Sequence, residues 1–250
     1  MFNTLLYAQL SVDKVKFEII YETRGLVKPH KGIKGEDLKI LEIGDSISRF
    51  YSVWENKVEK RRDSLRKKGY SPVQSNGMKR SYDKSYIYKN YPSNNKMTVY
   101  DLVVKDFVYE DNIPVAKWNI LNEHKTILGY KCQKAKANYR GRNWIVWFAP
   151  EIPLSEGPWK LSGLPGLILQ ADDEKNEYNF ICVGIKNVAN PYDLIVDNKK
   201  KTIKTTRTEF LKLFRNLYLK PDETLSQIAG IQIKSVTPDT EERSYNPIEF

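Results

Sequence analysis

Apolar and polar residues alternate along much of this chain, and the alternation predicts a protein built mainly from β-strands. A period of two places successive side chains on opposite faces of a sheet. Strands are predicted at residues 15–22, 39–43, 47–52, 103–110, 116–121, 128–137, 144–148, 167–171 and 178–185. Tyr82, Tyr86, Tyr88 and Tyr91 are mostly evenly spaced and suit one face of a further strand.

Helical signals are fewer. Residues 53–68 predict one helix, ended by Gly69 and the nearby Pro72. Thr206 and Glu209 form a capping box, and the apolar residues after it predict an amphipathic helix to about residue 219, before a proline. The predicted fold class is therefore mainly β with a minor α component. We expect a curved antiparallel sheet or half-barrel with one or two packed helices.

The apolar segment Gly163-Leu164-Pro165-Gly166 predicts a tight turn. Proline presets φ at the second position of a tight turn, and glycine takes the positive φ of the third position in a type II turn. We expect Leu164 and Leu167 to be at least partly buried, with a strand at residues 168–171 directly after the turn. The predicted role is fold specification.

Residues 163–168, GLPGLI, also resemble the signature of the GLPGLI family of the Bacteroidetes. Residues 127–135 are similar to the family's GYxCxKA segment. Residues 151–153 and 157–159 correspond to its EIP and GPW segments. The ending Tyr245-Asn246-Pro247-Ile248-Glu249 is similar to its YNPIE. The resemblance implies an exported protein. Because the family is defined by sequence, it implies no particular reaction.

The start of the chain favours the same compartment. Residues 1–8 read like the end of a secretory signal, with Ala8 as the small residue before a cleavage point, which leaves residues 9–250 as a single GLPGLI-type domain. The alternative is a cytosolic start with a first strand at residues 5–10. We expect a periplasmic or secreted protein. It is not expected to span a membrane, since no apolar run approaches about 18 residues.

Cys132 and Cys182 are the only cysteines. Each lies in a strand-like segment, so a disulfide can form if the two strands are neighbours. Two buried thiols acting as small apolar side chains are the alternative.

The formal net charge is +10, from 41 basic and 31 acidic residues. This charge favours anionic partners, although no nucleic-acid-binding signature is present and nucleic acid is not expected. Arg140 and Arg142, beside a predicted hairpin turn, are candidates to bind an anion. A solvated turn explains them equally well.

Aromatic residues are the other binding candidates. Trp144, Trp147 and Trp159 are suited to line a groove for an acyl chain, a sugar or a peptide. Filling the core is the alternative for at least two of them. On a strand, Trp144 and Phe148 share one face and Trp147 has the other.

Residues typical of catalysis are scarce. The chain has only His30 and His124, and lacks zinc-binding, EF-hand and phosphate-loop patterns, so neither metal nor cofactor is expected. The sequence favours a non-enzymatic envelope protein that binds or carries an apolar or anionic ligand (a lipid, glycan or peptide) or a protein partner. The alternatives are an envelope hydrolase with dispersed carboxylate or tyrosine residues, and a structural partner of an outer-membrane complex.

Overall fold

A computed structural model describes residues 10–28, 32–71, 77–103, 105–196, 202–230 and 245–250. Within them, one sheet contains the strands β1 (Leu10–Lys28), β2 (Ile33–Ile43), β3 (Ser48–Ser52), β4 (Tyr86–Lys89), β5 (Lys96–Leu102), β6 (Asp106–Asn112), β7 (Asn119–Ile127), β8 (Tyr130–Tyr139), β9 (Arg142–Ala149), β10 (Leu167–Asp173), β11 (Asn179–Val196) and β12 (Ile203–Lys204). The helices are α1 (Val53–Lys67), α2 (Arg207–Leu219) and α3 (Pro221–Ala229). Residues 1–8 and His30 lie outside the described residues.

The order of strands in the sheet is β12-β6-β5-β4-β3-β2-β1-β11-β10-β9-β8-β7. Two runs of consecutive antiparallel strands, β2 to β6 and β7 to β11, lie on either side of β1. The short edge strand β12 pairs with β6 in parallel. The long β1 therefore joins two meanders into one sheet.

Strong curvature brings distant strands of this sheet together. β6 is second in the order and β8 is eleventh, yet Arg140, in the turn after β8, pairs with Asp111 of β6 at 2.7 Å. The predicted fold class, a mainly β protein with a curved antiparallel sheet, is confirmed. The helix count differs, because the described chain has three.

The concave face of the sheet holds the main core. Trp144 of β9 packs against Phe180 of β11, with ring centroids 6.0 Å apart. The Tyr21 hydroxyl of β1 donates to the Ile168 carbonyl oxygen at 2.7 Å, which ties the central strand to β10. A smaller cluster on the opposite face contains Val15, Tyr88, Val188, Leu194 and Val196. Both faces are thus partly covered.

Both predicted helices are present, and their caps explain where they begin. The Ser52 side chain accepts from the Glu55 backbone N–H at the start of α1, and Thr206 with Glu209 forms the predicted capping box of α2. The sequence pattern does not predict α3, because Pro221 follows the amphipathic segment directly and a proline there usually marks the end of a helix. Proline is also favoured in the first turn of a helix, where its missing N–H costs nothing.

The tyrosine segment and β5 are two further differences. β4 contains only Tyr86 and Tyr88 of the four tyrosines, while Tyr82 and Tyr91 flank it. The sequence pattern does not predict β5, because Asp101 interrupts its apolar residues.

The turn at Leu164 and Pro165 is tighter than the predicted type II turn. The Gly166 N–H donates to the Leu164 carbonyl oxygen at 2.8 Å, which closes a three-residue γ-turn around Pro165. The Leu167 N–H instead donates to the Ile152 carbonyl oxygen at 3.0 Å. Leu164 and Leu167 are buried, as predicted, and β10 begins at Leu167.

Gly166 is required in this turn for two reasons. Its φ is +155°, and a Cβ there would collide with the Ala149 carbonyl oxygen. The second reason, a close approach of two backbone segments, is not visible in the sequence.

The cysteines do not meet the condition for a disulfide. Cys132 lies on β8 and Cys182 on β11, with β9 and β10 between them. Both are buried and free. The expectation that they bridge neighbouring strands is therefore wrong. Burial raises the pKa of the Cys182 thiol to about 11.

Candidate functional site

A cavity of about 320 Å³ lies between the concave side of the sheet, α2 and the C-terminal segment. Ile87 of β4 and Val99 of β5 contribute to its wall. Phe210 and Phe214 of α2 also line it, and the tail adds residues 247–249. A volume in this range accommodates a compact organic molecule.

Aromatic rings form much of the wall. Trp159, Tyr109, Tyr178, Phe180 and Phe210 all line the cavity and are buried or nearly so. The rings of Tyr109 and Phe210 lie 5.3 Å apart, which joins β6 to α2. The hydroxyl of Tyr178 donates to the Asn246 carbonyl oxygen at 3.0 Å, so this ring is fixed by the tail.

One part of the wall carries a buried ion pair. Lys160 Nζ lies 2.5 Å from Glu249 Oε1 and donates to the Tyr109 hydroxyl at 3.0 Å. Burial lowers the pKa of Lys160, and the adjacent Glu249 carboxylate opposes this shift. The ammonium group also lies 5.5 Å from the ring centroids of both Tyr109 and Trp159. The pair attaches the tail to the cavity wall.

A second ion pair holds Asp83, which lies just before β4. Lys39 Nζ of β2 is 2.8 Å from Asp83 Oδ2. Burial raises the pKa of Asp83, but the Lys39 charge and hydrogen bonds from Ser85 outweigh it, so the pKa is below the usual value. Asp83 is ionised at neutral pH.

Asp101 of β5 is the third carboxylate on the wall. Burial raises its pKa to about 7, and the nearby negative charge of Asp83 adds to the effect. Among the described residues, none forms a hydrogen bond or close ion pair with this carboxylate. The Asp101 carboxylate is therefore partly protonated and partly ionised near neutral pH, whereas Asp83 is ionised.

The three predicted tryptophans have three different positions. Trp144 is fully buried in the core, as the alternative interpretation required. Trp147 lies on the opposite face of β9, with Lys125 Nζ 4.4 Å and Lys134 Nζ 5.7 Å from its ring centroid. Trp159 alone lines the cavity.

The two predicted arginines bind groups of the chain itself. Arg142 is buried, and its Nη1 lies 2.8 Å from Asp173 Oδ2 and 2.7 Å from Glu177 Oε2. Its Nε donates to the Pro247 carbonyl oxygen at 2.8 Å. The interpretation of Arg142 as a solvated turn residue is therefore wrong. Arg140 is likewise paired, with Asp111.

The turn residues Gly163, Leu164, Pro165 and Gly166 are not part of the cavity wall. The polar wall residues were missed by sequence reasoning. Asp83 and Asp101 have no motif around them, and only contacts far apart in sequence bring them together. Lys160 and Glu249 had a signal, because they lie next to or within the segments GPW and YNPIE.

No group of three or more His, Cys, Asp or Glu residues in the described part of the chain has the arrangement of a metal site. None of the described helices combines the length and apolar character needed to cross a membrane.

Comparison with known proteins identifies a family. Residues 62–209 match the family described as N-glycanase peptide, N-terminal domain. The match covers more than half of the chain, so the chain belongs to this family. No curated protein sequence matches it.

Solved structures show the same fold. The structure of PNGF-II in space group P21 is 14% identical, with a TM-score of 0.53 over 79% of this chain. The structure of PNGF-II in space group C2 is 17% identical, with a TM-score of 0.53 over 82% of this chain. The chain spans about a third of these proteins, since the alignments cover 32% of each of them.

Proposed function

For this member of the N-glycanase N-terminal domain family, we propose a non-enzymatic binding function, with a small, partly apolar ligand held in the cavity between the sheet, α2 and the C-terminal segment. The cavity is the observation that carries the proposal. Aromatic rings on its wall offer apolar contact, and a few carboxylates and Lys160 offer polar contact. This combination is typical of small-molecule sites.

The proposed setting is the cell envelope, where the domain would assist a protein that acts on glycans. The family name refers to an N-glycanase, and its matched part is an N-terminal domain. The resemblance of residues 163–168 to the GLPGLI signature and the signal-like residues 1–8 also support export. From the resemblance of residues 163–168 we also propose that the chain is a member of the GLPGLI family. Mature protein that retained residues 1–8 in an exporting host would contradict the export proposal.

The binding proposal is tested by filling the cavity. Val99 is buried on the wall, so Val99→Phe should occupy part of the space that a ligand needs. Titration of neutral cyclic alcohols and simple saccharides, followed by protein NMR, should show binding to the original chain and weaker binding to the variant. Val183→Phe is the matched control, because Val183 is 40% exposed and does not line the cavity. Equal binding by all three proteins would overturn the proposal.

A hydrolase is the second candidate, and the pair Asp83 and Asp101 is the observation that favours it. One carboxylate is kept ionised and the other has a pKa of about 7, the division found between nucleophile or base and general acid in acid–base catalysis. Both line the cavity.

Glycopeptide and chromogenic glycoside substrates would test this candidate. Turnover that falls by about 100-fold or more in Asp101→Asn would support it, since general acid–base catalysis contributes about that much. Binding without turnover supports the binding function instead.

A further inference from the structure

The charged groups of the cavity are unequally paired. Two of its carboxylates have an internal lysine partner, Asp83 with Lys39 at 2.8 Å and Glu249 with Lys160 at 2.5 Å. The third, Asp101, has no lysine or arginine of the described chain within ion-pair distance. An unpaired carboxylate on a largely apolar wall is costly, and a cation beside it offsets part of that cost.

The wall already accommodates an ammonium group. Lys160 Nζ lies 5.5 Å from the centroids of Tyr109 and Trp159, where the ring quadrupoles attract a cation. Aromatic rings together with a carboxylate are the usual recognition elements for organic ammonium ions. The same wall offers more rings, Tyr178 and Phe210, for the apolar part of such a molecule.

From this pairing we infer that the ligand is a compact organic cation, an amine with an apolar body, whose charge is placed beside Asp101. The inference rests on the proposed binding function and specifies its ligand class. Glu249 does not compete with Asp101 for such a cation, because Lys160, Arg207 and Arg140 of the chain already lie close to its carboxylate. Lys160 Nζ is 2.5 Å from its Oε1, and the Nε atoms of Arg207 and Arg140 are 3.6 and 3.8 Å from its Oε2.

Other charges that face Asp101 modify this preference without reversing it. Asp83 favours a cation, while Lys39, Lys160 and Lys84 oppose it. Lys39 and Lys160 are each neutralised by a carboxylate. Lys84 has the weakest influence of the three on Asp101.

Two probes of the same shape test the inference, cyclohexylammonium and neutral cyclohexanol. Titration of the full chain followed by NMR should give a dissociation constant about tenfold or more lower for the amine. Amine binding should also strengthen by about tenfold between about pH 6 and about pH 8, as Asp101 ionises, while alcohol binding stays nearly constant.

Asp101→Asn should remove both the preference for the amine and its pH dependence, and leave alcohol binding in place. The variant is expected to fold, since it replaces a poorly solvated carboxylate with a neutral group of the same shape. Asp63→Asn is the matched control, because Asp63 is on the exposed surface of α1.

The outcomes separate the inference from the function on which it rests. Equal affinity for amine and alcohol, or amine binding that is tighter at low pH, would overturn the cationic ligand and keep the cavity as a binding site. Binding of neither probe would overturn both.

Discussion

Arg142 and Asp101 are both charged residues in contact with the interior of the molecule, but their surroundings differ. Arg142 is surrounded by acceptors: two carboxylates and the backbone of the C-terminal segment. Asp101 shares a cavity wall with aromatic and apolar residues, and no lysine or arginine of the described chain lies within ion-pair distance of it, although Lys39, Lys160 and Lys84 influence it from farther away. A charge that is fully paired within its own chain holds the fold together. A charge that is left unpaired beside a cavity is available to a ligand.

Removing Arg142 should have the largest effect on stability. Arg142→Ala leaves the buried Asp173 without its cation and releases the tail, so the free energy of unfolding should fall by about 3–5 kcal/mol. Urea unfolding measures this. Arg24→Ala is the matched control, because the Arg24–Glu36 pair is exposed and should contribute at most about 1 kcal/mol. Similar losses in both variants would contradict the structural role of Arg142.

Gly166→Ala tests whether the turn contributes to stability alone or also to ligand binding in the cavity. Alanine is strained at a φ of +155° and its Cβ meets the Ala149 carbonyl oxygen, so we expect a loss of about 2–3 kcal/mol with ligand binding unchanged. Gly184→Ala should have little effect, since a Cβ there comes no closer than 3.6 Å to its neighbours. Lost binding at an unchanged midpoint of thermal unfolding would show that the turn is a functional site.

The turn and the cavity also show which features of the structure can be predicted from the sequence. Pro165 and Gly166 are adjacent and have strong local preferences, so a buried turn was predictable, although its hydrogen bonding was not. The helix caps at Ser52 and Thr206 are local in the same way. Asp83 and Asp101 acquire their properties from Lys39 and from burial, which depend on the curvature of the sheet. No local pattern contains that information.

Asp101→Asn should change how stability depends on pH. The pKa of Asp101 in the folded state, about 7, is above the ordinary value near 3.9. Between these values the folded state keeps a proton that the unfolded state has lost, so this group lowers stability progressively as the pH rises.

The variant removes that loss. It should exceed the original chain in stability by much more at about pH 8 than at about pH 4, measured by urea unfolding. Asp83 has the opposite shift and remains in both proteins, so its contribution largely cancels. A constant difference across this pH range would show that Asp101 is not the group that titrates.

The smallest effect is expected at Trp147, on the side of the sheet away from the cavity. Its ring contacts Lys125 and Lys134 and is partly exposed. Trp147→Ala should therefore lower the free energy of unfolding by about 1–2 kcal/mol, from the lost cation–π contacts and part of the apolar contact of the ring with the core. Binding of cavity probes should not change. Weakened binding in this variant, with stability preserved, would mean that the ligand contacts the outer face of β9, and that the unpaired carboxylate in the interior does not mark the site.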